Sequence, residues 1–451
     1  MRRSLFAMLC AGMLFAVLPP TGALARATVD PVWSDTYAPA GVVGSSPVDV
    51  AVAPDGGRVF VVGAAQTGPH INDLDIVTIA LDPASGEELW STRYDTNYHR
   101  YDQAGAITVS PDSGTVFVTG TSTGRHYVRS AVTVAYDAAT GVQRWEQRCC
   151  GTLNGIGRDL VASGSALYLL ASIADHIYVT SYDAATGARA WTSTYPRGLY
   201  SAGADLEVGG GGVFVIGEIQ FERGFRDGLV LALDQATGEH RWHRTFDGKW
   251  YFPDGYASSG ALSPDGGTLF TTGVVTSRHN NDTATTIAYD TASGGRLWAS
   301  RIQRDLWDAR VPKVEAATDG SGVVVAATYV DGDGHVEFVT ADYGPSDGAR
   351  RWLRREPMGD YQARVIDLAL SPDGDRAYVG GFGSTVAGAQ SGWLALAYDT
   401  AVGGAPTWIR SAPLSSEYDA VVGVEVAPDG TLVYLTGERV ADIVTEAVAG
   451  P

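Results

Sequence analysis

The chain is short of what a helical or disulfide-stapled protein needs. Of 451 residues only three are cysteine and four methionine, and lysine is scarce. Three thiols cannot build a framework of several bridges, so a small cross-linked scaffold is excluded. Strong helix formers give way to 56 glycines and to many valines, threonines and tyrosines, a composition of strands joined by tight turns. Positive charge is also in deficit. Against 51 Asp and Glu stand 32 Lys and Arg, a net charge of −19 with no basic stripe to offset it. Such a chain repels nucleic acid and anionic lipid, and neither is expected as a partner. Long apolar runs are missing as well. The longest, Leu5 to Leu18, is short for a membrane span, so none is expected.

That run has the anatomy of a secretory signal. Arg2 and Arg3 precede it, Pro19, Pro20 and Gly22 break it, and Ala25-Arg26-Ala27 offers a small-residue cleavage site. Residues 1–27 are read as the signal and residues 28–451 as one mature domain, secreted and extracellular. Removal takes away three arginines and no acid, moving the net charge from −19 to −22. Cys10 lies inside the apolar run without a lipoprotein context, which leaves Cys149 and Cys150 as the only mature cysteines.

What the chain has in plenty is one phrase. It reads Ala80-Leu-Asp82-Pro-Ala-Ser-Gly86-Glu-Glu-Leu-Trp90, then Ala135-Tyr-Asp137-Ala-Ala-Thr-Gly141-Val-Gln-Arg-Trp145, and returns at residues 181–191, 232–242 and 288–298, more loosely at 341–352 and 397–408. With Trp33 these phrases place eight tryptophans, Trp33, Trp90, Trp145, Trp191, Trp242, Trp298, Trp352 and Trp408, spaced 46 to 57 residues apart. A period near fifty residues is the mark of a radial or stacked repeat. Each unit opens with an apolar strand ending in a turn such as Pro54-Asp55-Gly56, where proline presets the first dihedral and glycine accepts positive φ. A second strand, such as Arg58-Val-Phe-Val-Val-Gly63, is apolar on both faces, as a strand sandwiched between neighbouring sheets must be. A third strand runs into the Asp-x-x-Thr/Ser-Gly turn, and a fourth carries the Trp. Four strands make one propeller blade.

The ends decide the count. Seven full units leave a lone strand at residues 32–37 and three strands at residues 421–427, 431–437 and 442–448. Together they make one more blade. The expected fold is all-β, an eight-bladed propeller closed by pairing of the N- and C-terminal strands, which removes free sheet edges. The tryptophans are expected to be structural, with Trp145, Trp191, Trp242 and Trp298 buried between blades.

The Ala-x-Asp-x-x-Thr-Gly-x-x-x-Trp phrase resembles the tryptophan-docking repeat of pyrroloquinoline-quinone-type propellers. That group holds quinoprotein alcohol dehydrogenases and non-catalytic scaffold and assembly proteins, and the resemblance spans essentially the whole mature chain. It implies fold and leaves activity open. Quinoprotein dehydrogenases carry a bridged vicinal cysteine pair between two blades, followed by an asparagine, and Cys149-Cys150-Gly-Thr-Leu-Asn154 keeps that spacing. By resemblance Cys149, Cys150 and Asn154 are ligand-binding candidates, and Cys149 and Cys150 are expected to be bridged. Neighbouring Cα atoms about 3.8 Å apart make such a bridge strained, since ordinary disulfides span about 4.4–6.8 Å. A structural kink and an intermolecular bridge remain alternatives.

A quinone site also needs a Ca²⁺ cage, and the group's Gly-Ala-Glu calcium phrase is missing. Glu218, Glu222 and Arg226 lie in roughly the right region out of register, and Trp250 and Trp307 could supply an aromatic floor. No catalytic residue and no metal ligand set is assigned. Gly120-Thr-Ser122-Thr-Gly124 matches a hydrolase elbow pattern but joins strands. His240 and His243, three apart on a strand, are expected on opposite faces. Asp331-Gly-Asp333-Gly334 reads as a hairpin turn, and the remaining histidines, His335 among them, show no ligand spacing. The function expected is that of a secreted, monomeric, non-enzymatic module binding an extracellular protein, glycan or small ligand. The alternative is an oxidoreductase of alcohols or sugars using pyrroloquinoline quinone and calcium.

Overall fold

Each unit folds as a four-stranded antiparallel sheet. The computed structural model describes residues 27–450 apart from 69–72, 97–99, 125–126, 150–153, 196–197, 222–225, 247–254, 277–281, 303–306, 360–362, 384–391, 414–419 and 440. Blade one is Gly44–Val52, Val59–Gln66, Leu74–Leu81 and Glu88–Tyr94, hydrogen-bonded in chain order. Six more sheets repeat that order, and the eighth joins Val421–Val426, Leu432–Arg439 and Asp442–Ala449 to the N-terminal strand Trp33–Tyr37. The closing ladder is antiparallel and runs from Trp33 opposite Ala447 to Tyr37 opposite Ile443. The first strands of the blades neighbour one another around a complete ring, blade eight meeting blade one. One addition was not legible in the repeat. Ala27–Thr28 pairs in parallel with Trp408–Pro413, giving blade seven a fifth strand.

Second and third strands are buried along nearly their whole length, as in Val59–Gln66 and Ala131 to Tyr136, because a neighbouring blade covers each face. The hydrophobic clusters accordingly lie between sheets. Phe60, Val62, Ile76 and Ala80 of blade one pack on Ala104, Val116, Val118 and Val134 of blade two, and the pattern repeats around the ring.

The recurring phrase owes its form to one joint. The turn aspartate folds its side chain back on the turn. Asp137 Oδ1 accepts from the Ala139 and Thr140 amides and the Thr140 hydroxyl, at 3.1, 2.9 and 2.9 Å. The glycine closing the turn has positive φ, +71° at Gly141, and its bare Cα lies against the Trp90 indole of the preceding blade. A Cβ there would come within 2.7 Å of the ring. The same indole donates to the carbonyl after the turn aspartate, Trp90 Nε1 to Ala138 O at 3.1 Å. Trp33, Trp145, Trp191, Trp242, Trp298 and Trp352 repeat the bond to Pro83, Ala184, Gln235, Thr291, Pro345 and Thr400. Trp33 belongs to blade eight and docks on blade one, so this joint also closes the ring. Trp408 is the exception. Its Nε1 is buried without a partner among the described residues, because the carbonyl it would meet belongs to a turn that blade eight, split between the chain ends, does not possess. The indoles differ in cover: Trp145, Trp242 and Trp298 are buried, whereas Trp191 is half-buried.

Candidate functional site

The channel at the propeller axis is built from a defect shared by all eight first strands. Each carries a β-bulge against its second strand, between Pro47 and Asp49 in blade one and at the matching place in every other blade. A bulge interrupts the ladder and turns the next side chain to a new direction. Directly after it stand Asp49, Ala106, Asp159, Asp205, Ser259, Lys313, Asp367 and Gly423. Five of these side chains accept a hydrogen bond from the first strand of the following blade. Asp49 takes the Ile107 amide at 3.0 Å, Asp159 that of Leu206 at 2.8 Å, and Asp205 that of Gly260 at 2.6 Å. Ser259 Oγ takes Val314 at 3.3 Å and Asp367 takes Val424 at 2.8 Å. These aspartates therefore staple blade to blade around the axis.

Two residues further along lies a second storey, where Glu207, Glu315 and Glu425 come from alternate blades four, six and eight. Both storeys line one cavity of about 520 Å³, whose walls include Asp49, Asp159, Asp205, Lys313, Asp367 and the three glutamates. Burial, reinforced by the Asp367 charge, pushes the Asp49 carboxyl up to about 7 although the Ile107 and Val50 amides oppose the shift. Burial and the charges of Asp367 and Asp49 lift Glu425 to about 8. Asp159, Glu207 and Glu315 are raised by burial and then by their acidic neighbours. Burial works against the Lys313 charge, but Asp367, Asp205, Glu315 and Asp49 hold its pKa above the ordinary lysine value. The bulge before Lys313 is the longest, skipping two residues, and puts the β-branched Val311 at a φ of +33°, with its amide bonded to Tyr256 Oη at 3.1 Å.

The face opposite the Pro-Asp-Gly turns, here the top, has another character. Guanidinium groups lie over aromatic rings at Arg100 and Tyr127 (3.8 Å), Arg129 and Tyr101 (4.9 Å), Arg226 and Tyr200 (5.3 Å), and Arg364 and Phe382 (5.8 Å). Tyr127, Leu199 and Phe221 on this rim are 76%, 65% and 43% exposed. On the bottom face the aspartates are committed to their own turns, which holds Asp82, Asp137, Asp183, Asp234 and Asp290 below the usual carboxylate range.

Among the described residues, Cys149, Asn154, Glu218 and Arg226 do not line the channel. Cys149 is the last residue of the strand Gln143–Cys149, buried, with Sγ 3.9 Å from Thr180 Oγ1. Cys150 lies outside the described residues, and with it the expected pairing. Asn154 is exposed just before Gly155–Ser163. Glu218 is paired with Arg226 at 2.8 Å, while Glu222 and Trp250 lie outside the described residues. Trp307 opens the strand Trp307–Ala316, opposite Asp331. Ser122 is wholly buried within Thr115–Thr123, its Oγ accepting from Arg148 at 3.2 Å, so the hydrolase-like phrase forms no elbow.

Two readings are corrected. His240 and His243 share a face: a bulge at Arg241 resets the alternation and brings His240 Nε2 to 3.1 Å from His243 Nδ1, both beside Tyr195. His335 does have a ligand-like neighbourhood. It contacts Asp331 at 2.7 Å, and with Asp333 forms a group whose ligand atoms lie within 4.8 Å of one another on an exposed hairpin. Asp331 also accepts the Asp333 and His335 amides, as a hairpin turn requires.

Missed altogether were the channel acids. Their signal was an aspartate directly before an aliphatic residue of a first strand, in Val48-Asp49-Val50, Arg158-Asp159-Leu160, Ala204-Asp205-Leu206 and Ile366-Asp367-Leu368. Among the described residues the group at Asp331, Asp333 and His335 is the one that offers three convergent metal ligands.

Among curated proteins none matches this chain. Solved structures do. The Sqt1 propeller of Chaetomium thermophilum, bound to the N-terminus of ribosomal protein L10, superimposes with a TM-score of 0.62 at 14% identity, over 93% of this chain and 100% of that one. The Dos1 propeller gives 0.60 at 13%, over 93% and 95%. A quinohemoprotein alcohol dehydrogenase of Pseudomonas putida gives 0.57 at 13%, over 94% of this chain and 76% of that one. At such identities the likeness is one of fold. The family model described as outer membrane protein assembly factor BamB matches residues 74–245 and 226–395. With the docking tryptophans and eight closed blades, that match makes the chain a member of this family of pyrroloquinoline-quinone-type β-propellers.

Proposed function

We propose that the protein is a secreted, non-enzymatic binding propeller that holds an extracellular protein on its top rim. The observation that carries this reading is the set of arginine-over-aromatic pairs on that rim, beside the exposed Tyr127, Leu199 and Phe221. Arginine and tyrosine are the residues that dominate binding energy at protein interfaces, because each offers a large flat face together with hydrogen bonds. A fold of this kind has been solved holding the N-terminus of a ribosomal protein, so presenting a face to a peptide is within its reach. The bottom face offers less, since its turn aspartates spend their hydrogen bonds internally.

The test is photo-cross-linking at the surface of cells that make the protein, with the reactive group at Tyr127 or, as control, at Val142 on the bottom face. Cross-links are expected from Tyr127 alone, and should disappear in Arg100→Ala/Arg129→Ala/Arg226→Ala/Arg364→Ala while the fold persists by circular dichroism. Equal labelling from both faces would overturn the reading. So would dye-linked oxidation of alcohols or sugars on adding pyrroloquinoline quinone and Ca²⁺.

A further inference from the structure

The outer strand of blade four carries two of the chain's eight histidines at places where no other blade has a pair of them. The bulge before the docking tryptophan recurs from blade one to blade six. It brings the residue two before the Trp and the residue one after it onto one face. Elsewhere those places hold unlike residues, such as Glu88 with Ser91, Arg189 with Thr192 and Arg296 with Ala299. In blade four they hold His240 and His243, and His240 Nε2 lies 3.1 Å from His243 Nδ1. One buried neighbour on blade three sets both rings. Tyr195 stacks on His240, with centroids 6.4 Å apart and planes 19° apart, and meets His243 at 5.8 Å. The cations nearest in sequence are engaged elsewhere. Arg241 donates to Gly211 O at 3.3 Å, and Arg244 to Gly294 O and Ser293 O at 2.7 and 2.9 Å.

Two imidazole nitrogens that face each other need something between them. A proton on one of them makes a hydrogen bond. With that proton on the far nitrogen of its ring, two lone pairs share the gap. His240 is exposed, and an exposed side-chain hydrogen bond competes with water, so folding stability alone does not account for the pair. The second arrangement is that of a chelate. Zinc–imidazole bonds of about 2.0–2.1 Å place two nitrogens of one tetrahedral ion about 3.3 Å apart, close to the 3.1 Å already built here. Imidazole nitrogen suits late transition-metal ions, whereas Ca²⁺ and Mg²⁺ take oxygen. Among the described residues no further His, Cys, Asp or Glu converges on the pair, so an ion held there keeps positions open to water or to a group from outside.

We propose that His240 and His243 form a surface chelate for one late first-row divalent metal ion, such as Cu²⁺ or Zn²⁺, in the outer groove between blades three and four. The ion takes the place of the proton between the rings. That proton moves to the far nitrogen of the same ring, and both imidazoles stay neutral. The site is distinct from the axial channel and from the arginines of the top rim, and does not depend on the binding reading given for that rim.

Cu²⁺ is the probe, titrated into the full-length mature chain at pH 7.5 against a fixed excess of glycine, which competes with weak carboxylate sites. One equivalent is expected to bind, with two imidazole nitrogens on the ion by electron paramagnetic resonance. His240→Gln and His243→Gln should each weaken binding by about tenfold or more, and the double substitution little further, because either one breaks the chelate. Circular dichroism and melting without metal check that these variants fold. Asp331→Asn/His335→Gln, which dismantles the convergent group on the exposed hairpin, should leave the tight equivalent unchanged. The proposal is overturned if Cu²⁺ does not saturate at one equivalent, if the resonance shows fewer than two imidazole nitrogens, if the His240 and His243 variants bind as the wild type does, or if the hairpin variant loses the ion.

Discussion

At the scale of single residues the propeller depends on a pairing between one large side chain and one absent side chain. Trp242 lies flat on the Cα of Gly294 and donates to Thr291 O at 3.0 Å, and Arg244 reaches over the same turn to Gly294 O at 2.7 Å. Trp242→Ala removes a buried aromatic and should lower stability by about 3–5 kcal/mol in denaturant titration. Gly294→Ala adds a single carbon but meets the indole at 2.6 Å from a backbone at φ +66°. It should cost more than the roughly 1 kcal/mol of an unstrained left-handed alanine, and in Trp242→Ala its cost should shrink toward that value. If the two substitutions were simply additive, the stacking account would be wrong. Trp408, which has no turn beneath it, gives an internal comparison: Trp408→Phe removes an Nε1 that bonds no described residue, and should be tolerated better than Trp242→Phe.

At the scale of elements the decisive piece is the strand Trp33–Tyr37. It completes blade eight through five ladder pairs and places Trp33 over Gly86 of blade one. Deleting residues 28–40 removes the outer strand of blade eight, one of the seven indole joints, and the chain leading from Ala27–Thr28 on blade seven. An exposed Asp442–Ala449 edge should follow, with a lower melting temperature and concentration-dependent association by light scattering. Unchanged melting and solubility would show that the ring does not need this closure. The first strands show how element geometry makes chemistry. A bulge in every blade turns one residue toward the axis, and the shared position rather than any local motif gathers acids distant in sequence into one channel.

At the scale of the whole molecule, two populations of carboxylates set the pH dependence in opposite directions. Turn aspartates such as Asp137, held at about 2 chiefly by Arg144 and Thr140, sit below their unfolded value near 4. Their contribution is present above about pH 4 and is lost as pH falls toward 2. These side chains lie at the surface, so solvent and salt screen the effect. Channel acids such as Asp49, at about 7, and Glu425, at about 8, lie above their unfolded values. The native state then binds more protons than the unfolded chain between about pH 4 and pH 8, so stability falls as pH rises through that window. Melting temperature should therefore peak in mildly acidic solution and decline toward pH 8.5. The decline should be shallower in Glu207→Gln/Glu315→Gln/Glu425→Gln. A flat profile between pH 5 and 8.5 would mean that the channel acids are already ionised and solvated in the native state.

The sequence by itself determined the number of blades, the order of strands within each and the closure at the termini. Those features rest on local chemistry repeated in register: Pro-Asp-Gly turns, second strands apolar on both faces, and an Asp-x-x-Thr/Ser-Gly turn read together with its Trp. Only the tertiary structure decided where the chemistry lies. Asp49, Asp205 and Asp367 are separated by more than a hundred residues at each step, and nothing along the chain says that they share an axis. His240 and His243 were misread for a related reason, since a single bulged residue reverses the face on which a side chain emerges. Periodicity carries fold because every unit repeats it. A site at the centre of a ring takes one residue from each unit, and its identity exists only when the ring is closed.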